Sequence, residues 1–230
     1  MGNSERTPRE ATISPASHGL SRELRMALRG LAKHCGAEKD RPGLHRAYRV
    51  QYDGRSWLTA TDGYRALFVA DGWHGLDVSG LGDDGLDGIL SADLRQAVKG
   101  KLHDGAVTVP VSGINYGGPN VVGCIPPASA AVTVERNHDR SGELFIVAGH
   151  DAAGYARSIW HRVGVPDIGP TMPLAVRTDQ LGDMADALNT QRLILGYQPD
   201  RPLAPVLVRA QAQHVGIVDG FGILMPVRIA

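Results

Sequence analysis

Aromatic residues, cysteine and net charge are all scarce in this chain, and each shortage removes a class of function. Phe, Trp and Tyr make up 5% of 230 residues, so a core must rest on Leu, Val, Ile and Ala. The hydrophobic fraction of 43% is ordinary for a globular protein and sufficient for such a core. The two cysteines, Cys35 and Cys124, lie far apart. His34 beside Cys35 is an isolated pair with no second pair at zinc-site spacing, so a metal centre is not expected. Ordinary thiols of a reducing cytoplasm are the plain reading. Lys and Arg number 24 and Asp and Glu 24. That balance excludes a grip on nucleic acid over the whole surface and leaves only a local basic stripe. No apolar run approaches the roughly 20 residues of a membrane-spanning helix, and the N-terminus lacks the apolar segment of a signal peptide. Gly2 would suit myristoylation, but Arg6 stands where that signal wants Ser or Thr. The expectation is a soluble, cytoplasmic protein.

Catalytic motifs are also missing. There is no Walker-type loop, nucleophile elbow, His-Glu-x-x-His pair or dinucleotide fingerprint. His150 and Asp151 in "AGHDAAG" invite a general-base reading, yet neighbours in a strand point to opposite faces. A turn at a strand end explains them better. The sequence predicts a protein that is not an enzyme and needs no cofactor.

What is present is a repeated alternation of helix and strands. Residues 1–17 are polar and aperiodic and read as a disordered tail. Ser21 is a plausible N-cap for "RELRMALRGLAKHC", whose Leu24, Ala27, Leu28 and Leu31 form one apolar face. Arg22, Arg25, Arg29 and Lys33 line another side, and Gly36 stops the helix. Strands follow at "LHRAYRVQY", "WLTAT" and "YRALFVA", the last two joined through Asp62-Gly63, a strong hairpin signal. "GLDVSGLGDDGLDG" reads as a surface loop without the Asp pattern of a calcium site. Ser91 opens a short helix carrying Arg95, Lys99 and Lys101, and strands are predicted at "AVTVPV" and "NVVGCIP". Pro126-Pro127 marks a boundary. Beyond it, strands are predicted at "AAVTVER" and "ELFIVAG", a helix at "TDQLGDMADALN", and strands at "RLILGYQ", "PVLVRA", "HVGIVD" and "GILMPVRI". The plan is an α+β chain with two units, residues 18–127 and 128–230, the second shortened and without a first helix.

Two motifs at corresponding ends of this plan resemble the bacterial β sliding clamp, the ring that tethers replicative DNA polymerase to its template. "ATDGYRA" at residues 60–66 is similar to the family's "ATDGHRL" turn, and "ILMPVRI" at residues 223–229 resembles its terminal "VVMPMRL". The resemblance implies the clamp fold, with helices lining an inner face and antiparallel sheets outside. It further implies an apolar pocket for partner peptides, built from the hairpin and the last strand. Carried over, the hairpin supplies Thr61, Gly63, Tyr64, Arg65 and Ala66, and the strand supplies Ile223, Met225, Pro226 and Arg228. Pro126 matches an interdomain proline. Without the resemblance, Ile223 and Met225 read better as fillers of a core strand. Ala66 replaces the family's Leu and should make the pocket roomier or shallower.

In the family, helix-borne cations touch DNA phosphates loosely so that the ring slides. That role falls here to Arg22, Arg25, Arg29, Lys33, Arg95 and Lys99, for which a merely solvated helix face is the alternative. Asp179, Asp183 and Asp186 on the third helix are an odd lining for a DNA channel. Family clamps carry three domains per chain and close as dimers, so a six-domain ring from a two-domain chain implies a homotrimer. The expected partners are duplex DNA, held without sequence preference, and a DNA polymerase or other clamp-binding peptide, with no membrane. An adaptor that keeps the pocket but never encircles DNA is the competing expectation.

Overall fold

The computed structural model describes residues 10–13, 21–37, 39–40, 42–82, 87–99, 107–110, 112–113, 120–136, 144–149, 161–162, 174–211 and 216–227. In chain order its elements are β1 (Glu10–Ile13), α1 (Arg22–His34), β2 (Arg46–Tyr52), β3 (Arg55–Thr61), β4 (Arg65–Ala70), β5 (Asp87–Leu90), α2 (Ser91–Lys99), β6 (Val107–Pro110), β7 (Ser112–Gly113), β8 (Ala130–Arg136), β9 (Leu144–Gly149), β10 (His161–Arg162), α3 (Thr178–Ala187), β11 (Arg192–Tyr197), β12 (Val206–Ala210) and β13 (Gly220–Leu224).

Eleven of these strands form one antiparallel sheet in the order β10-β9-β8-β11-β12-β13-β4-β3-β2-β5-β7. The two halves of the chain meet at β13 and β4, where Phe221 lies directly opposite Phe68. Their rings stack at 4.4 Å, and Trp57 meets Phe221 edge-on at 5.1 Å. A one-residue slip of β13 against β4 would send one ring of the pair to the opposite face, so the aromatic pair pins the register. Val121 and Ile125 of the connecting segment pack onto this cluster.

The helices cover the other face. Ser21 caps α1 by accepting from the Leu24 N–H at 3.0 Å. The helix then buries Leu24, Ala27, Leu28 and Leu31 against the sheet. α1 is the middle helix, with α2 and α3 packed against it. Leu181, Met184 and Leu188 of the α3 region join the same core. Gly30 makes the α1–α3 approach possible, because a methyl there would overlap the Ala187 side chain.

Four expectations need correction. Glu10–Ile13, within the stretch read as a tail, form β1 against β6, since the β-branched Thr12 and Ile13 favour a strand and β6 offers an edge to pair with. "NVVGCIP" is a 3₁₀ turn at Val122–Cys124, not a strand. Asn120 Oδ1 accepts from the Gly123 N–H, the Val121 carbonyl accepts from the Cys124 N–H, and prolines follow that cannot pair in a sheet. In "HVGIVD", residues 216–219 run outside any strand, with Gly216 at φ 99° and its carbonyl bound by Asn189 Nδ2 at 2.8 Å. The 75–88 loop ends in strand, because β5 begins at Asp87. His150 and Asp151 lie outside the described residues.

Candidate functional site

The hairpin between β3 and β4 is built by its own side chains. Gly63 takes φ 89°, a conformation that favours glycine. Asp62 Oδ1 accepts from the N–H groups of Tyr64 and Arg65 at 2.9 and 3.1 Å. Thr61 Oγ1 donates to the Arg65 carbonyl at 2.7 Å and accepts from the Gly63 N–H at 3.0 Å. The local sequence therefore satisfies nearly every polar group of the turn. β13 runs alongside, with Ile223 opposite Ala66, and the Met225 N–H donates to the Tyr64 carbonyl at 2.8 Å.

A cavity of about 280 Å³ opens between these two elements and the turn at residues 120–124. Seven predicted residues line it: Thr61, Gly63, Tyr64, Arg65, Ala66, Ile223 and Met225. Its inner wall is formed by the buried Thr61, Ala66 and Ile223. At its mouth, Tyr64 is 58% and Met225 36% exposed. The volume lies just below the range of small-molecule pockets and suits one or two apolar side chains. Pro126 is buried and lines an adjoining groove instead. Pro226 is half-buried outside the lining, and Arg228 lies beyond the described residues. Sequence reasoning missed Leu44, Asn120, Val121 and Cys124 in the lining. The apolar spacing of Val121 and Cys124 ahead of Pro-Pro is the available signal, and the strand-like composition of the segment masks it.

Arg65 is committed to the protein. Its Nε donates to Asp62 at 3.0 Å, Nη1 to Asp183 at 2.7 Å, and Nη2 to the Lys33 carbonyl at 3.2 Å. Asp183 also accepts from Lys33 Nζ at 3.0 Å. Partial burial pushes the Asp183 carboxyl up, but the hydrogen bonds from Arg65 and Lys33 outweigh it and hold it below its ordinary value. One carboxylate on α3 thus joins α1 to the pocket hairpin. Behind this cluster His34 is fully buried, with Nδ1 2.7 Å from the Gly30 carbonyl and Nε2 without a partner. Burial, helped by the nearby Arg65 charge, lowers its pKa to about 4.

Of the predicted DNA-facing cations, Arg22, Arg29, Lys33, Arg95 and Lys99 are exposed on the helix layer and Arg25 is half-buried. Lys33 is engaged by Asp183, and Arg95 donates to Ser91 Oγ at 3.1 Å. Asp179 on α3 pairs with Arg177 at 2.7 Å. Burial pushes the Cys35 thiol up to about 12, so it stays protonated. Among the described residues no cluster of potential metal ligands occurs, and no helix is long and apolar enough to cross a membrane.

No family model matches the chain, and no curated protein does. Solved structures do. The DnaN sliding clamp (DNA polymerase III subunit beta) of Bartonella birtlesii, bound to griselimycin, is 17% identical with a TM-score of 0.57; the match covers 100% of this chain and 69% of that one. The DNA polymerase III beta subunit of Thermotoga maritima is 14% identical with a TM-score of 0.60, over 98% and 68%. The beta clamp of Helicobacter pylori, in complex with carprofen, is 12% identical with a TM-score of 0.63, over 97% and 68%. The chain spans about two thirds of the length of each. The fold is that of the sliding clamps: α+β, with helices on one face and the antiparallel sheet on the other.

Proposed function

We propose that this chain is a compact sliding-clamp relative that encircles duplex DNA and tethers partner proteins through the cavity at Met225. It acts as a processivity factor in DNA replication and not as an enzyme. Residues 18–127 and 128–230 are its two clamp-like units, and three copies close the ring.

The observation that supports this best is the convergence of two segments about 160 residues apart in sequence, the hairpin turn and the end of β13, on one apolar cavity. A peptide that inserts one or two apolar side chains would meet a buried floor, with the adaptable Met225 thioether at its mouth. Arg22, Arg25, Arg29, Arg95 and Lys99 supply the loose phosphate contacts of a sliding ring.

Light scattering across a dilution series tests the assembly. A trimer has three times the 24.5 kDa mass of one chain, and a single-chain mass at every concentration would remove the ring. Met225→Ala tests the pocket separately, by weakening a short apolar peptide about tenfold while thermal stability holds.

A second reading has its own support. Asp183 claims Lys33 and so takes one of the predicted cations from the helix layer. That weakens a DNA-facing surface and favours an adaptor that keeps the pocket without encircling DNA.

A further inference from the structure

A second cavity, of about 600 Å³, adjoins the first, and Cys124 lines both. One wall is the Pro126-Pro127 end of the connecting segment. The other is the β11–β12 connection with Arg201, Pro202 and Leu203. Isolated exposed apolar residues are normal on a protein surface. Here the pattern is not scattered. Among the described residues the exposed large hydrophobics are Tyr64, Leu203, Met225 and Val227, and three of these four flank the two joined cavities. Leu203 is 47% exposed on the far side of Cys124 from Met225.

The walls of the second cavity are preformed. Gln198 Nε2 donates to the Pro127 carbonyl at 2.9 Å, tying one wall to the other. The Arg201 and Ala204 N–H groups close successive turns onto the carbonyls of Gln198 and Arg201. Preformed walls lower the ordering cost of binding. Proline has no N–H, so a peptide laid there gains little from strand pairing and must be read through its side chains. The lining contains one charged group, Arg201, and no carboxylate. The Arg201 guanidinium is exposed and pairs with none of the described carboxylates.

We infer that this second groove is a specificity extension of the partner site, taking a segment of the same peptide that carries an acidic side chain next to an aliphatic or aromatic one. The acidic group meets Arg201 and the apolar one packs on Leu203 and the proline walls. The inference rests on the proposed peptide pocket, which supplies the continuity across Cys124.

The test uses fluorescence anisotropy on the full chain with synthetic labelled peptides sharing a Leu-Leu-Phe core. One set has Gly-Ser flanks at both ends, and the other carries Glu-Leu in the flank on either side in turn. One Glu-Leu arrangement should bind about tenfold tighter than the Gly-Ser set, with an advantage that shrinks as salt rises. R201E and L203S, both at exposed positions, should abolish that advantage and leave the Gly-Ser peptide unaffected. Met225→Ala should weaken both sets. If the core binds but neither flank adds affinity, or the gain survives R201E and L203S, the extension is overturned and the pocket stands. If no peptide binds and Met225→Ala is silent, the pocket and its extension both fall.

Discussion

Replacing Asp183 by Asn removes one charge from the junction of α1, α3 and the pocket hairpin, and the structure sets the size of the effect. Asp183 is 28% exposed and accepts from Arg65, which is 11% exposed, and from the far more open Lys33. The Lys33 pair is solvent-screened and contributes about 0.3 to 0.5 kcal/mol. Removing one partner of a buried pair costs about 3 to 5 kcal/mol. Arg65 keeps Asp62 and the Lys33 carbonyl after the change, and the pair is only partly buried, so about 2 kcal/mol is expected. Urea unfolding at pH 7 should show a lower midpoint with an unchanged slope. A double-mutant cycle with Lys33→Met should assign only the minor share to Lys33. The sign with pH follows from the depressed carboxyl. Its contribution is fully present above the ordinary carboxylate value and is lost as pH falls through the lowered one. Wild type and variant should therefore converge in acid. A variant within about 0.5 kcal/mol of wild type at pH 7 would refute the reasoning.

The neutral, buried His34 adds a second acid sensitivity. Its pKa falls from 6.5 in the unfolded chain to about 4, so stability is full above 6.5 and is lost as pH drops toward 4, by roughly 3 kcal/mol. His34→Gln should be less stable at pH 7 but flatter between pH 7 and 4, and an unchanged slope would count against the assignment. Gly30→Ala should destabilise by about 1 to 3 kcal/mol through overlap with Ala187. Gly30→Ala with Ala187→Gly should cost less than the two single changes summed, and strict additivity would show that the helices do not touch there. Reversing the exposed Arg22 and Arg29 to Glu should lower DNA retention at low salt with no change in thermal melting; unchanged retention would remove α1 from the DNA face.

The features legible in the sequence are those decided within a few residues. Ser21 caps α1 because its hydroxyl reaches the Leu24 N–H, and the chain turns at Asp62-Gly63 because the Asp62 and Thr61 side chains accept from the backbone of the turn. What escaped is of two kinds, a local turn masked by strand-like composition and contacts made with distant partners. Val121 and Val122 have the composition of a strand, yet Asn120 and the following prolines turn the backbone out of the sheet. Leu44 enters the cavity lining only through tertiary packing. Arg65, two residues past a tight turn, reads as a residue that greets a partner. Asp183, more than 100 positions away, holds it inside the protein, and nothing local announces that.

The pairing of β13 with β4 carries a consequence for how the protein comes to exist. The cavity floor needs Ala66 from one strand and Ile223 from the other, adjacent in space but far apart along the chain. Closing so long a loop is entropically costly and belongs among the slow steps of folding. A chain whose halves had each collapsed, but not yet zipped together at this seam, would hold its helices and have no cavity. On the proposed function, capture of an apolar peptide would therefore report completed long-range assembly, and half-made molecules would be silent in that assay.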